Sequence, residues 1–313
     1  MMRICFVGLG SIGRRHVRNL AAILEERSIP FRMDALRHGQ SELPPDVAAR
    51  LSAVYTDTAR LPADYDIVFV TNPTIQHYDT IRALVAHTRH MFIEKPLFHT
   101  SAYELSALGL RPGCVYYVAC PLRYSRVYTA MKDIASSAHV FSVQSLCSTY
   151  LPDWRKGVDY RTVYSARREL GGGVGLDLIH EWDYLVDLFG FPQENLVLQG
   201  KFSDLELTSD DMYASIARYA DKVVEVHLDY FGRIDQRTLT FYTADDVITG
   251  DFIANTVTFR KSGRTVCLPE DGNDAHYHEL EHFLDICDGN QENVNDVEKA
   301  YRVLSVLEGH VRG

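Results

Sequence analysis

A lysine stands in the segment MFIEKPL, residues 91–97, in a setting that could support acid–base chemistry. Three apolar residues predict a strand that runs into Glu94, and Pro96 biases Lys95 towards an extended, rigid backbone. Because successive side chains of a strand point to opposite faces, Glu94 and Lys95 do not simply neutralise each other. We predict that the ammonium group is catalytic and moves a proton; an ordinary surface lysine is the alternative.

A second group of reactive side chains follows the three glycines at residues 171–173. Asp177, His180 and Glu181 lie on the helix predicted after them. Residues three or four apart share a helix face, so Asp177 can sit beside either His180 or Glu181. We predict a proton path in which His180, assisted by Asp177, works with Lys95. In the alternative, Asp177 only caps the helix and His180 is a buried histidine whose hydrogen bonds are satisfied.

The segment 150–168 is rich in basic and aromatic side chains, although the chain has a net charge of -10. Guanidinium groups bind carboxylates and phosphates through paired hydrogen bonds, and rings can stack on sugar faces. We predict that this segment recognises an anionic or polyhydroxylated substrate, whereas merely solvated charges are the alternative. The predicted substrate-binding residues are Trp154, Arg155, Tyr160, Arg161, Tyr164 and Arg168, with Lys95, Asp177, His180 and Glu181.

The glycine pattern GLGSIG, residues 8–13, lies between an apolar run and a stretch with helical periodicity. Glycines here permit a tight turn and close approach of the backbone to a pyrophosphate, which a helix N-terminus also attracts. A strand, glycine turn and helix in this order are typical of a dinucleotide site. The predicted contacts to the dinucleotide at this turn are Gly8, Gly10, Ser11, Ile12 and Gly13.

Arg37 follows the second predicted strand, residues 31–36, where such sites normally carry an acidic residue that binds the adenosine ribose. An acidic side chain would repel a 2′-phosphate, whereas Arg37 could pair with one and stack on adenine. We therefore predict NAD(P) as the cofactor, with a preference for NADP(H). A solvated Arg37 and the use of NAD(H) are the alternative.

Strands and helices alternate through the first part of the chain, which predicts a parallel, doubly wound sheet. Such sheets bind ligands at the carboxyl ends of their strands, where Lys95 falls. The further predicted cofactor contacts at this edge are Thr71, Asn72, Pro73, His77 and Glu94. From about residue 196 to residue 259 the apolar residues alternate instead, which predicts antiparallel hairpins.

The predicted fold is an α/β Rossmann domain, residues 1–121, followed by an α+β domain with a large, mostly antiparallel sheet, residues 122–313. The negative net charge argues against nucleic acid and anionic membranes as partners. The six cysteines form no CxxC pattern, which favours reduced thiols and a cytoplasmic location. His276, His278 and His282 lack a further ligand pair, so no metal site is predicted.

Three segments, GLGSIG, VTNPTIQHYDTIRALVAHTRHMFIEKP and GGGVGLDLIH, resemble the Gfo/Idh/MocA family of glucose–fructose oxidoreductase and inositol dehydrogenase relatives. The resemblance implies a Rossmann domain plus a mixed or antiparallel sheet domain, NAD(P)-linked oxidation or reduction of sugars and cyclitols, and a catalytic Lys95. It also implies a homodimer or homotetramer through the C-terminal sheet, and a cofactor contact by Arg123, for which a salt-bridged arginine is the alternative.

Family members usually carry a histidine four residues after the aspartate, but His180 is three residues after Asp177 and Glu181 takes the fourth position. Either residue could fill the role of that histidine. Together the features predict an oxidoreductase that transfers a hydride between nicotinamide and a carbinol or carbonyl carbon of a sugar, cyclitol or sugar derivative, a class that includes anionic and nucleotide-linked derivatives. The alternative is a dinucleotide-binding sensor without chemistry. Such a protein would be expected to lose Lys95 or the Asp177/His180 pair.

The cofactor preference can be tested by exchanging Arg37. We expect the unchanged protein to bind NADPH more tightly than NADH, and Arg37→Asp to reverse the order. The carboxylate would repel the 2′-phosphate and accept hydrogen bonds from the ribose. Titration of nicotinamide fluorescence measures both affinities. Equal affinities, or tighter binding of NADH by the unchanged protein, would contradict the NADP(H) preference and leave the glycine turn unaffected.

Overall fold

The computed structural model describes residues 1–39 and 42–311, which divide into two units. The first unit comprises Met1–Phe98, Ala102–Ala119 and His276–Tyr301; the second comprises His99–Ser101, Cys120–Ala275 and the residues from Arg302 onwards. The main run of the first unit thus ends close to the predicted boundary at residue 121. The same unit also contains residues 276–301, which the sequence pattern assigns to the second domain.

A six-stranded parallel sheet forms the centre of the first unit. Its strands are β1 (Met2–Val7), β2 (Phe31–Leu36), β3 (Leu51–Tyr55), β4 (Tyr65–Val70), β5 (Thr88–Ile93) and β6 (Tyr116–Val118), and its early helices are α1 (Ser11–Glu26), α2 (Pro45–Ala48) and α3 (His77–Leu84). The strands lie in the order β3-β2-β1-β4-β5-β6. Strand order therefore reverses between β1 and β4, which is where doubly wound sheets bind dinucleotides.

An eight-stranded sheet forms the centre of the second unit. Its strands are β7 (Val140–Tyr150), β8 (Glu194–Gly200), β9 (Met212–Arg218), β10 (Val223–Asp229), β11 (Phe231–Thr243), β12 (Val247–Asp251), β13 (Thr256–Phe259) and β14 (Arg264–Cys267), and its helices are α4 (Arg126–Ser137), α5 (Val174–Asp177) and α6 (His180–Phe189). The order is β14-β13-β12-β11-β7-β10-β9-β8; β7 and β10 pair in parallel and the other neighbours are antiparallel. Both parts of the predicted fold class are confirmed.

One face of this second sheet is buried and the other is partly apolar and exposed. Tyr213 and Ala217 of β9 are buried, whereas Ile216, on the opposite face, is 56% exposed. Leu196 of β8 pairs with Ile216 and is 75% exposed. The alternation is that of an antiparallel sheet with one face covered. In the described part of the chain, no helix is both long enough and apolar enough to cross a membrane.

Two helices, α7 (Asp274–Cys287) and α8 (Val297–Leu307), follow the second sheet. The ring of Phe283 on α7 packs edge-on against Phe92 of β5 and Phe69 of β4, with centroid separations of 5.2 and 6.0 Å. Tyr117 of β6 donates a hydrogen bond to Glu279 of α7 (3.1 Å). The apolar face of α7 is thus buried against the first sheet, which explains why residues 276–301 belong to the first unit.

Candidate functional site

The glycine turn at residues 8–13 joins β1 to α1 where the strand order reverses. Gly8 has a φ of 91°, and a Cβ on it would lie 2.7 Å from Cα of Asn72. A Cβ on Gly13 would lie 2.4 Å from the carbonyl oxygen of Gly8. Both positions therefore require glycine.

Gly10 has a different environment, because a Cβ there would meet no atom of the described residues within 4 Å. Ser11 and Ile12 then begin the 16-residue helix α1. The N-terminus of a helix attracts anions through its backbone N–H groups and its dipole. Open space beside Gly10 at this helix start fits the pyrophosphate of a dinucleotide.

Thr71 ties the glycine turn to the end of β4. Its hydroxyl group donates a hydrogen bond to the carbonyl oxygen of Gly8 (2.6 Å). The side-chain amide of Asn72 donates to Thr80 (2.8 Å), and its buried Oδ1 has no hydrogen-bond partner among the described residues. An acceptor in this position suits a hydroxyl or amide group of a bound dinucleotide. Thr71, Asn72 and Pro73 thus lie beside the glycine turn, at the edge where the sequence predicts cofactor contacts.

Arg37 follows directly after β2, at the same carboxyl edge, and its backbone N–H binds the carbonyl oxygen of Tyr55 (2.9 Å). The acidic residue of β2 is Asp34, which lies inside the strand and is buried. Its carboxylate accepts hydrogen bonds from Tyr65 (3.0 Å) and Arg32 (3.2 Å). Asp34 therefore does not occupy the strand-end position of a ribose-binding carboxylate.

Glu94 lies immediately after β5, and its buried carboxylate is held inside the first unit. Oε1 accepts a hydrogen bond from Nε2 of His16 on α1 (2.5 Å), and Oε2 accepts one from the backbone N–H of Lys95 (3.2 Å). Burial raises the pKa of Glu94, but the bond from His16 and nearby positive charges outweigh it, so the pKa lies below its usual value. The sequence predicts Glu94 as a cofactor contact, but it does not reveal the pairing with His16.

His77 joins the loop after β4 to the loop after β5. Its Nδ1 lies 3.1 Å from the carbonyl oxygens of Pro96 and Leu97, and its Nε2 lies 2.9 Å from that of Asn72. Burial lowers the pKa of the imidazole. The buried ring therefore lies between the loop of Thr71 and Asn72 and the loop that follows Lys95. His77 also begins α3, beside the loop in which the sequence predicts cofactor contacts.

Lys95 itself lies at the carboxyl edge of the first sheet and is partly exposed. Glu94 holds its backbone amide, and His77 holds the peptide that follows. The glycine turn, the Thr71 loop and Lys95 follow β1, β4 and β5, which are neighbours in the sheet. The structure therefore brings the predicted cofactor-binding loops and the predicted catalytic lysine to one edge.

Asp177, at the end of α5 in the second unit, accepts hydrogen bonds from two tyrosines. Tyr164 donates to Oδ1 (2.6 Å) and Tyr230 donates to Oδ2 (2.5 Å). The ring of Trp154 packs edge-on against Tyr230, with centroids 5.3 Å apart. Burial, and next to it the charge of Asp177, raises the pKa of both phenols, so both remain protonated donors. The structure thus brings together Asp177, Tyr164 and Trp154, which the sequence assigns to the site.

His180 and Glu181 lie on a separate helix, because Leu178 leaves the helical conformation (φ -103°, ψ 29°) between α5 and α6. The prediction of one continuous helix is therefore wrong, and the spacing of three or four residues from Asp177 does not define a common face. Glu181 is fully buried, and its Oε1 accepts a hydrogen bond from Arg237 of β11 (2.8 Å). His180 begins α6 and is partly exposed.

Arg123 lies in a short turn, Pro121–Tyr124, and its guanidinium is buried. It donates to both carboxylate oxygens of Asp183 (2.7 and 2.8 Å) and to Asp187 (2.9 Å), both on α6. This is the salt-bridged arrangement that the sequence leaves as the alternative to a cofactor contact.

Most arginines of the segment 150–168 pair with carboxylates of the second unit. Arg161 pairs with Asp159 and Glu206, Arg167 with Glu169, and Arg168 with Asp210, at 2.7–2.9 Å. Arg155 differs from these arginines. It is exposed, and its guanidinium has no hydrogen-bond or ion-pair partner within residues 1–39 and 42–311. It lies close enough to Tyr164 for its charge to oppose the rise in the pKa of that phenol that burial causes.

The same unit contains a cleft of about 440 Å³. Its volume falls within the range of small-molecule sites. The guanidinium of Arg233 lies over the ring of Tyr150, 4.0 Å from the centroid. The residues that line the cleft are Tyr150, Tyr160, Phe202, Ser203, Asp204, Leu205, Phe231 and Arg233. Within the described residues, no cluster of histidine, cysteine, aspartate or glutamate side chains could hold a metal ion.

Comparison with known proteins gives one family and several related folds. Residues 2–119 match the family model GFO_IDH_MocA, described as an oxidoreductase family with an NAD-binding Rossmann fold. No curated protein matches the sequence. Three similar solved structures are UDP-N-acetylglucosamine 3-dehydrogenase GnnA from Acidithiobacillus ferrooxidans (20% identity, TM-score 0.76, 99% of this chain and 96% of that one), levoglucosan dehydrogenase in complex with NADH (17%, 0.80, 98% and 95%), and the WlbA dehydrogenase from Bordetella pertussis in complex with NADH and UDP-GlcNAcA (15%, 0.76, 98% and 94%).

The family model confirms the predicted family for the matched residues. The solved structures span nearly the whole chain and share its fold.

The tyrosine pair around Asp177 can be tested by removing one hydroxyl group. We expect Tyr164→Phe to lower the free energy of unfolding by about 1.5 to 3 kcal/mol, because Tyr164 donates to a buried carboxylate. Tyr160→Phe is the matched control, since the Tyr160 hydroxyl accepts a hydrogen bond from the backbone of Glu206 at an exposed site. Urea unfolding followed by tryptophan fluorescence measures both. Equal effects of the two changes would contradict the anchoring role of Tyr164.

Proposed function

Because residues 2–119 belong to the Gfo/Idh/MocA family of oxidoreductases, we propose that the chain transfers a hydride between NAD(P) and a carbinol or carbonyl carbon of a sugar, cyclitol or sugar derivative. The observation that carries this proposal is the shared edge of the first sheet, where Lys95 follows a strand beside the loops of the glycine turn and Thr71. When a hydride leaves a carbinol carbon, the hydroxyl proton must leave as well. A positioned lysine beside a dinucleotide site supplies the group that accepts this proton.

The proposed roles follow from what each side chain contacts. The bound cofactor supplies the hydride donor or acceptor. Lys95 accepts the hydroxyl proton in oxidation and returns it in reduction. We assign the second acid–base role to His180, because Glu181 is fully buried and bound to Arg237. Asp177 assists by holding Tyr164 and Tyr230 in place.

The proposed cofactor is NADP(H), because Arg37 stands where a ribose-binding carboxylate would repel a 2′-phosphate. The first unit carries an NAD-binding Rossmann fold, and two structures with the same fold were determined with NADH. The proposed preference for NADP(H) over NAD(H) therefore depends on a single side chain, that of Arg37.

The proposed substrate is a sugar derivative with an anionic group, such as a uronate, a sugar phosphate or a nucleoside diphosphate sugar. Rings of Tyr150, Tyr160 and Phe231 in the cleft can stack on a sugar ring or a base. Arg155 and Arg233 supply positive charge in the second unit. The similar structures include enzymes named for levoglucosan and for UDP-N-acetylglucosamine.

Two properties of the whole molecule complete the proposal. The exposed apolar side chains Leu196, Leu198 and Ile216 on the second sheet support a homodimer or homotetramer formed through that face. None of the six cysteines is joined in a disulfide, which supports a reducing compartment such as the cytoplasm.

The role of Lys95 can be tested with Lys95→Met, which keeps the apolar stem and removes the proton donor. We expect the affinity for NADPH to persist, while kcat falls by about 10²- to 10⁴-fold, as is typical for lost general acid–base catalysis. His180→Asn should give a similar or smaller loss. The double variant should lose less than the product of the two if both groups serve one proton path.

These rates are measured by cofactor absorbance with a panel of sugars, uronates and nucleotide sugars. Near-full turnover by Lys95→Met would contradict the catalytic role. Tight dinucleotide binding without turnover of any compound by the unchanged protein would favour the alternative class, a sensor.

The substrate charge can be tested by comparing two arginines of the segment 150–168. We expect Arg155→Ala to raise KM about 10- to 100-fold, equivalent to about 1.5 to 3 kcal/mol for a lost charged hydrogen bond. Arg161→Ala is the matched control, because Arg161 already pairs with Asp159 and Glu206 on the protein. An unchanged KM for Arg155→Ala, or equal increases in both variants, would exclude selective binding of the substrate by Arg155.

A further inference from the structure

A buried histidine and a buried glutamate connect helix α1 to the backbone of Lys95. His16 of α1 is 0% exposed, and its Nε2 binds Oε1 of Glu94 at 2.5 Å. The second oxygen of the same carboxylate accepts the backbone N–H of Lys95 at 3.2 Å. One carboxylate therefore links a helix side chain with the peptide of the proposed catalytic lysine.

The helix end of this link is fixed to the dinucleotide site. His16 lies in α1, the helix that begins at Ser11 within the glycine turn. An α-helix is stiff over such a distance, so the position of His16 follows that of the turn. The backbone of Lys95 is thereby held relative to the groups that bind the pyrophosphate.

The ring of His16 packs against aromatic side chains, and its polar contact is with Glu94. Its ring packs edge-on against Phe92 (4.9 Å between centroids) and is tilted against Phe69 (5.9 Å). Its Nδ1 is buried without a hydrogen-bond partner among the described residues. The hydrogen bond to Glu94 is therefore the polar contact that accounts for a histidine at this position.

Fold stability alone does not explain this pair. Burial of a carboxylate costs several kcal/mol, and replacing a buried ion pair by apolar residues of similar volume is often neutral or stabilising. Burial raises the pKa of Glu94, but the hydrogen bond from His16 and neighbouring positive charge, including that of Lys95, outweigh this effect and keep the carboxylate in its charged, accepting form. An apolar pair could not accept a hydrogen bond from the backbone N–H of Lys95.

We propose that His16 and Glu94 are positioning residues that align Lys95 with the dinucleotide site. Glu94 acts on the backbone of Lys95, and His16 acts through Glu94. The inference rests on the proposed function for the chemistry of Lys95. The linkage itself is a property of the folded first unit.

The substitutions follow from the two acceptor oxygens of Glu94. His16→Gln places an amide N–H near the position of Nε2 and keeps the donor, whereas His16→Met keeps an apolar side chain and removes it. Glu94→Gln leaves one acceptor oxygen, which can serve either His16 or the amide of Lys95, but not both. His90→Gln is the matched control. His90 is a buried histidine of β5, the strand that precedes Glu94, and its Nδ1 accepts a hydrogen bond from the backbone of Val115 (3.0 Å).

Two of these variants should lose turnover while they retain their affinity for the cofactor. We expect His16→Met and Glu94→Gln to lower kcat about 10- to 100-fold, as a small misplacement of a catalytic group can do. The dissociation constant for NADPH should change less than about threefold. His16→Gln should retain most of kcat, and His90→Gln should lower the melting temperature with little effect on kcat. A loss in His16→Gln equal to that in His16→Met, or full activity of His16→Met, would overturn the inference.

A second readout does not depend on any substrate. Reductive methylation with ¹³C-formaldehyde labels the lysines, and the NMR signal of Lys95 is assigned by its absence in Lys95→Arg. We expect this signal to move in His16→Met and Glu94→Gln, and to stay in place in His16→Gln and His90→Gln. If the unchanged protein turns over no compound, the proposed function fails. A Lys95 signal that moves in this pattern would still support the linkage. An unmoved signal in both His16→Met and Glu94→Gln overturns the linkage.

If His16→Met does not fold because Glu94 is left buried without its partner, the double variant His16→Met/Glu94→Gln removes the unpaired charge. It should fold, bind NADPH, and show the same loss of kcat and the same displaced Lys95 signal. A double variant that matches the unchanged protein in both would overturn the inference.

Discussion

The close approach of the glycine turn to the end of β4 is the constraint on which the first unit depends. A side chain on Gly8 would collide with the backbone of Asn72, and the hydroxyl of Thr71 donates a hydrogen bond to the carbonyl oxygen of Gly8. The carbonyl oxygen of Asn72 in turn contacts His77, whose ring also contacts the loop after Lys95. These contacts together link the ends of three strands, and the proposed chemistry requires all three.

Several acidic residues that the sequence assigns to the candidate site hold other groups in place. Glu94 holds a backbone amide, Asp177 holds two tyrosines and Glu181 holds an arginine. A buried carboxylate needs several donors, and those donors are then fixed in position by it. In the proposed mechanism, Lys95 and His180 are the groups that exchange protons. Rigid surroundings of this kind are what precise placement of a proton donor demands.

Local patterns in the sequence were sufficient to predict the architecture and the candidate site residues of the first unit. The glycine spacing, the alternation of strands and helices, and the position of Lys95 before a proline each depend on neighbouring residues, so they can be interpreted without a structure. The pairing of His16 with Glu94 joins residues 78 positions apart, and no local pattern indicates it. The break at Leu178 is likewise not indicated by a local pattern, because the surrounding residues continue the helical pattern. The same holds for α7, whose amphipathic spacing shows that one face is buried but not against which sheet.

The contribution of α7 to the first sheet has a consequence for the way the chain is made. Phe69, Phe92 and Tyr117 are synthesised early, but the ring that covers them, that of Phe283, emerges only after the whole second sheet. During translation the nascent Rossmann unit therefore presents an uncovered aromatic surface while the second unit is still being made. Exposed apolar surface of this kind attracts chaperones and promotes aggregation. The dinucleotide-binding unit, although first in the sequence, is thus completed late in folding.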